Sequence, residues 1–257
     1  MNRKICYMGD TALAGAAAYL AGVMNHFGLA YDYVPSDTRP PADFRQRAYA
    51  LYVLSDYPAA NLAREDMEHI AARVREGAGL LMIGGWESFH GRNGEYVDTP
   101  LAEALPVHLL REDDRRNYAQ PCLIHRKMDH EILRDLPFDT PPGIGGFNAF
   151  TPRDGAATIL TSVQFRVERS GEEYRFEKGE EAPLLVTGTF GSGRTAALAT
   201  DVAPHWVGGF VDWGDARVTA RVGNGFVEVG NWYARFFRNL LVWTKKSAEK
   251  RVLSAEC

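Results

Sequence analysis

The chain has 257 residues, 46% of them hydrophobic and 24% charged, with a net charge of −4. That length can bury a substantial core, and the composition is that of a globular protein. A net-acidic chain lacks the basic face that a phosphate-backbone binder needs, which sets nucleic acid aside as a partner.

The first element expected is a strand over 4–8, "KICYM". Arg3 and Lys4 ahead of "ALAGAAAYLAG" give the outline of a secretion signal, but Gly9 and Asp10 interrupt the apolar run. The uncharged interval from Thr11 to Tyr31 is rich in Ala and Gly and too weakly hydrophobic to span a membrane. A helix is predicted over roughly 12–27, because Leu13, Ala16, Ala17, Leu20, Val23, Met24 and Phe27 recur at three- and four-residue intervals and Gly28 follows. Strands over 30–34 and 49–54 come next. Asn61 is the expected cap of a second helix with a Met67, Ile70 and Val74 stripe, closed by Gly77 ahead of a strand over 80–84. Strands alternating with helices predict parallel pairing through right-handed crossovers, hence an α/β, doubly wound, mostly parallel sheet. In such sheets ligands bind beyond the carboxyl ends of the strands.

The second half reads differently. "REDDRR" (111–116) is read as a solvated loop. An antiparallel β-rich elaboration is expected over about 151–200, with three or four strands in the run 157–201 turning at Ser170-Gly171 and at Gly191-Ser192-Gly193. The "GSGRTA" stretch lacks the Lys-Ser/Thr of a phosphate-cradling loop and is read as a hairpin turn. A glycine-rich loop over 207–230 then precedes a last helix capped near Asn231, whose apolar face is Tyr233, Phe236, Phe237, Leu240 and Trp243. That loop and that face are candidates for self-association into a homo-oligomer. With no linker between the halves, residues 1–257 are expected to form one domain. The cysteines, Cys6, Cys122 and Cys257, are widely spaced and odd in number, which suggests a reduced, cytoplasmic protein rather than a disulfide framework.

The loops after the strands gather polar residues that local structure alone does not require. Asp10 and Thr11 follow the first strand, Ser55 and Asp56 the third, and Gly84-Gly85-Trp86-Glu87-Ser88-Phe89-His90 the fourth. Asn148 follows "GIGGF", and Asp201, His205 and Trp206 lie in "DVAPHWVGGFVDWG". Asp10 and Thr11 are also good helix N-caps. Tryptophan and histidine among Gly and Pro suit a pocket that excludes water and orients a small polar molecule. Glu87, His90, His125, His130, Asp201 and His205 include metal-ligand types, but none has the short fixed spacing of a zinc or iron motif, so neither metal nor cofactor is expected.

The segments "LYVLSDYPAANL", "GAGLLMIGGWESFHG", "TPLAEALPV", "DTPPGIGGFN", "GSGRTAALATDVAPHWVGGFVDWG" and "VGNWYARFF" together resemble the bacterial family described as putative glutamine amidotransferases. A fainter similarity to the ThuA-like trehalose-utilisation proteins lies in "DHEILRDLP" and "FGSGRTAALATD". The resemblance implies a flavodoxin-like, class I glutamine amidotransferase-like fold. True class I amidotransferases place a nucleophilic cysteine on a tight turn after a central strand, with backbone N–H groups aimed at the oxyanion, and a histidine and glutamate two residues apart late in the chain. The matching turn here, Gly84-Gly85-Trp86, has no thiol, and Pro204-His205-Trp206-Val207 keeps the histidine without the glutamate.

The expected function is therefore an amidotransferase-like protein acting on a small polar metabolite. His205 is its acid/base, Asp201 or Glu87 the orienting carboxylate, and the Gly84 and Gly85 amides the anion donors. Trp86, Ser88, His90, Asp10, Asp56, Asn148 and Trp206 are expected to line the site. Two alternatives stay open: a non-catalytic binding or scaffold protein on the same fold, and a glutaminase using Cys122, with His125 three residues on.

Overall fold

The structure, a computed structural model, describes residues 3–247. Its elements run β1 (Ile5–Gly9), α1 (Ala17–His26), β2 (Tyr31–Pro35), β3 (Leu51–Ser55), α2 (Arg64–Arg75), β4 (Gly79–Ile83), α3 (Pro100–Ala104), β5 (Val107–Leu109), β6 (Arg115–Arg126) and β7 (Gly143–Asn148). The chain continues through β8 (Phe150–Pro152), β9 (Ala157–Ser170), β10 (Glu173–Phe190), β11 (Gly193–Leu198), α4 (Pro204–Val211), β12 (Arg217–Val222), β13 (Gly225–Gly230) and α5 (Asn231–Lys245).

A nine-stranded sheet in the order β2-β1-β3-β4-β11-β10-β9-β6-β7 runs through both halves. Strands β2, β1, β3, β4 and β11 are parallel neighbours, and the remaining pairings are antiparallel. The chain thus has the α/β, mostly parallel-core architecture that the strand–helix alternation predicts. Every residue of β1, β3 and β4 is buried, as a parallel sheet covered on both faces requires. Helix α1 packs with α5, and α2 with α3. The apolar stripe of α2 is the predicted Met67, Ile70 and Val74, with Ala71.

Several boundaries move. Helix α1 begins at Ala17 because residues 12–16 form turns, and α2 begins at Arg64 with Ala63 as its N-cap. Asn61 instead donates its side-chain amide to the Ser36 carbonyl. The expected antiparallel region is not separate from the main sheet: β11 pairs antiparallel with β10 on one side and parallel with β4 on the other. "REDDRR" is only partly a loop, since Arg115 and Arg116 open β6 and Asp114 is buried. The glycine-rich 207–230 segment is mostly helix α4 and the β12–β13 hairpin. On α5, Tyr233, Phe236, Phe237 and Leu240 are fully buried against the sheet and α4, so this face is used up within the chain. Cys257 lies outside the described residues. Among the described residues no helix is long and apolar enough to cross a membrane.

Beyond β11 the antiparallel strands curl. The Asn148 N–H at the end of β7 donates to the Ala199 carbonyl at 2.9 Å, and the Thr200 hydroxyl donates to the Gly146 carbonyl at 2.9 Å. The far edge of the sheet is thereby brought back to the carboxyl end of its centre.

Candidate functional site

Because β1, β3, β4 and β11 are adjacent and parallel, Asp10, Asp56, the 84–90 turn and Asp201 emerge side by side. Curling of β7 adds Asn148 to the same rim.

The turn after β4 is closely clasped. A Cβ on Gly84 would overlap the Ala199 carbonyl, and one on Gly85, at φ +153°, would overlap the Asp56 carboxyl group. Gly84 N–H donates to the Leu198 carbonyl at 2.8 Å, and Gly85 N–H to Asn148 Oδ1 at 2.9 Å. These amides are therefore not the anion donors expected from the sequence. The Glu87 amide is also engaged, donating to Asp56 Oδ1 at 2.8 Å. Asp56, itself at φ +50°, donates its own N–H to Ser88 Oγ at 3.0 Å. Ser88 is 1% exposed and acts as a backbone support rather than a ligand contact.

A second carboxylate holds the far side of the turn. Asp114, fully buried, accepts from His90 N–H at 3.0 Å, Gly91 N–H at 2.9 Å and Asn148 Nδ2 at 2.8 Å. Asn148 also returns a bond from Nδ2 to the Gly85 carbonyl at 3.1 Å, so this buried side chain is a strut and not an open ligand contact. Asp114 was concealed by the charged run around it. The one sequence signal that could have marked it is its place directly before a strand, opposite a loop rich in N–H donors.

Charge concentrates along the rim. Burial pushes the Asp56 carboxyl up to about 7, with the Asp10 and Glu87 charges adding to the rise and the Glu87 amide opposing it. Asp201 is raised well above the usual carboxylate range, first by burial and then by the Asp56 charge, against hydrogen bonds from the Val202 and Ala203 amides. Glu87 is raised by burial and by Asp10. Asp10 caps the turn before α1, accepting from Ala16 N–H at 3.1 Å and Thr11 Oγ1 at 3.3 Å. The Asp56 carboxyl is thereby placed to hold or release a proton near neutral pH, as acid/base groups do.

Beside the acids stands an aromatic wall. Trp86 is 40% exposed, and its ring meets the exposed His205 ring edge to face with centroids 5.8 Å apart. The Arg115 guanidinium lies 4.8 Å from the Trp86 ring centre and that of Arg92 5.9 Å. Arg115 and Arg92 were not anticipated from sequence. His205 opens α4 and contacts Trp86 and Trp206 through its ring, while Asp201 is occupied by backbone amides and does not orient it. Trp206 is buried, donates Nε1–H to Asn117 Oδ1 at 2.8 Å and covers Gly146, where a Cβ would strike its ring.

Cys122 does not join this group. It is fully buried in β6 at the register position of Ile144, and burial pushes its thiol up to about 11. His125, three residues on, is exposed. No rim residue lines the hollow of about 630 Å³ bounded by Arg126, His130, Glu131, Arg134 and Trp232. Among the described residues no three His, Cys, Asp or Glu side chains are grouped to hold a metal ion.

Comparison with known families gives one match, to the model described as "Putative glutamine amidotransferase", over residues 48–245. Among solved structures, the cytoplasmic protein STM1381 from Salmonella typhimurium LT2 is 26% identical with a TM-score of 0.72, over 95% of this chain and 100% of that one. The cytoplasmic protein STM3548 from Salmonella typhimurium is 22% identical with a TM-score of 0.72, over 96% of this chain and 100% of that one. A ThuA-like protein from Parabacteroides merdae is 13% identical with a TM-score of 0.54, over 97% of this chain and 93% of that one, a likeness of fold alone. A comparison with curated proteins yields no match.

Proposed function

Since the chain belongs to this glutamine amidotransferase-like family, we propose that it binds and transforms a small polar metabolite at the family's rim without the cysteine route. The observation that carries this reading is the Asp56 carboxyl, which accepts the Glu87 amide at 2.8 Å and is pushed up to about 7 beside Asp201. In true class I amidotransferases, amides after the central strand await an oxyanion; here the Asp56 side chain takes up the Glu87 amide. Acyl transfer from glutamine is accordingly not the reaction favoured.

Asp56 and Asp201 carry the proton in this reading. Trp86 and His205 form the wall against which the metabolite lies, and His205 is a second proton carrier. Carboxylates that accept hydrogen bonds suit a metabolite bearing hydroxyl or amine groups better than an anion. The similar Salmonella protein STM1381 is called a cytoplasmic protein, and the cytoplasm is the compartment we propose here too.

The test is turnover of a panel of amides, amino acids and sugars by wild type, Asp56→Asn and His205→Ala. Loss of turnover in Asp56→Asn is expected, and equal turnover by all three proteins overturns the assignment. A second reading, a binding protein that has lost the reaction, is favoured by the same uptake of the Glu87 amide by Asp56. It requires a ligand that raises the melting temperature and is recovered unchanged.

A further inference from the structure

The β9–β10 hairpin extends past its neighbours. Strand β6 pairs with β9 only as far as Val163, and β11 pairs with β10 only over Leu185–Phe190. Residues 164–178 therefore form a two-stranded ribbon held by its own ladder, with the outer edge of β10 unpaired. One face of the ribbon is open and apolar at its centre, where Phe176 lies opposite Val167, with Tyr174 opposite Arg169 and Lys178 opposite Phe165 on either side. Phe176 is 69% exposed, Tyr174 59% and Val167 37%. An isolated ribbon of this kind is marginal in water, and an exposed apolar face with an open edge invites a further strand.

The sequence of the open edge says which strand fits. In "EYRFEK" (173–178), a two-fold axis at Phe176 sets Arg175 of one copy against Glu177 of the other, and the reverse. Within each hairpin Arg175 already lies opposite Glu168, and Glu177 opposite Arg166. The charged face of two joined ribbons then reads Glu168, Arg175, Glu177, Arg166 from strand to strand, alternating in sign throughout. On the other face Val167, Phe176, Phe176 and Val167 form a continuous apolar row. Among the described residues neither Arg175 nor Glu177 has an ion-pair partner within its own chain. We propose that the β10 edge is the homodimerisation site of this protein, two copies pairing antiparallel about Phe176 into a four-stranded ribbon.

Charge reversal tests this register. Sedimentation velocity of the full chain should show a concentration-dependent dimer. Arg175→Glu places Glu against Glu at both symmetry-related positions and should weaken the dimer about tenfold or more. Arg175→Glu combined with Glu177→Arg restores opposite signs and should recover the dimer. Mixing the two single variants, Arg175→Glu and Glu177→Arg, should give a heterodimer tighter than either homodimer. Each reversal also sets like charges across its own hairpin, against Glu168 or Arg166; the double variant carries both of these local costs, so its recovery of the dimer separates loss of pairing from loss of fold. A monomer at all accessible concentrations overturns the proposal. A dimer indifferent to both Arg175→Glu and Phe176→Asp overturns it as well.

Discussion

The indole of Trp86 and the imidazole of His205 meet edge to face, with ring centroids 5.8 Å apart. One stands on the turn after β4 and the other opens α4 after β11, so parallel pairing of those two strands is what brings them together. Trp86 gives up water on only part of its surface, and its removal costs the aromatic pair but little of the core. Trp86→Ala should lower stability by about 1 kcal/mol in urea titrations. The same variant should abolish any ligand-induced rise in melting temperature. A retained ligand shift would remove Trp86 from the binding wall.

Asp56 predicts a pH dependence of defined sign. Its carboxyl titrates near 7 in the folded protein, against about 4 when exposed. Between those values the unfolded chain loses the proton while the folded chain keeps it. Stability therefore falls as pH rises from about 4 to 7 and levels off above, a loss on the order of 4 kcal/mol. Asp201, also raised, contributes with the same sign. Asp56→Asn keeps an oxygen acceptor for the Glu87 amide without ionising. Its stability relative to wild type should grow between pH 4 and pH 8, as read from melting temperatures across that range. A constant difference would mean that Asp56 does not titrate there.

The parallel half was legible in the sequence because its strands, β1, β3 and β4, are buried runs set between helices, and burial on both faces leaves a continuous apolar signature. The convergence of Asp10, Asp56, Trp86 and Asp201 followed from that winding alone. What the sequence did not convey were contacts made by remote backbone. The Gly84 and Gly85 amides look free in a linear reading, yet Leu198 and Asn148 take them up. Asp114 shares its local composition with exposed Asp113, and only the curling of β7 makes one a buried acceptor and leaves the other in solvent. Helix α4 was hidden because "PHWVGGFV" contains two glycines, whose low propensity is overridden by packing of Trp206, Val207 and Phe210.

That contrast between neighbours gives a direct comparison. Asp114→Ala leaves the His90 and Gly91 N–H groups and Asn148 Nδ2 without their acceptor in a buried setting. Its cost should be about 3–5 kcal/mol in urea denaturation. Asp113 pairs with Arg115 at 2.6 Å, half-exposed, and Asp113→Ala should cost less than about 1 kcal/mol. If the two variants are equally stable, the turn after β4 is not held by Asp114.

Cys122 provides the sharpest separation from glutaminase chemistry. A thiol nucleophile needs a thiolate fraction and an open approach, and Cys122 has neither: it is fully buried, and burial holds its thiol at about 11. Cys6, in β1, is likewise fully buried. Mass spectrometry after iodoacetamide treatment at pH 8 should find both residues unmodified in the folded protein and both alkylated in urea. Cys122→Ala creates only a small void and removes no hydrogen bond, so its destabilisation should be about 1 kcal/mol. Turnover of whatever metabolite the rim accepts should be unchanged in that variant. Rapid labelling of native Cys122, together with loss of turnover on labelling, would return the cysteine to the mechanism and displace the Asp56–Asp201 pair from it.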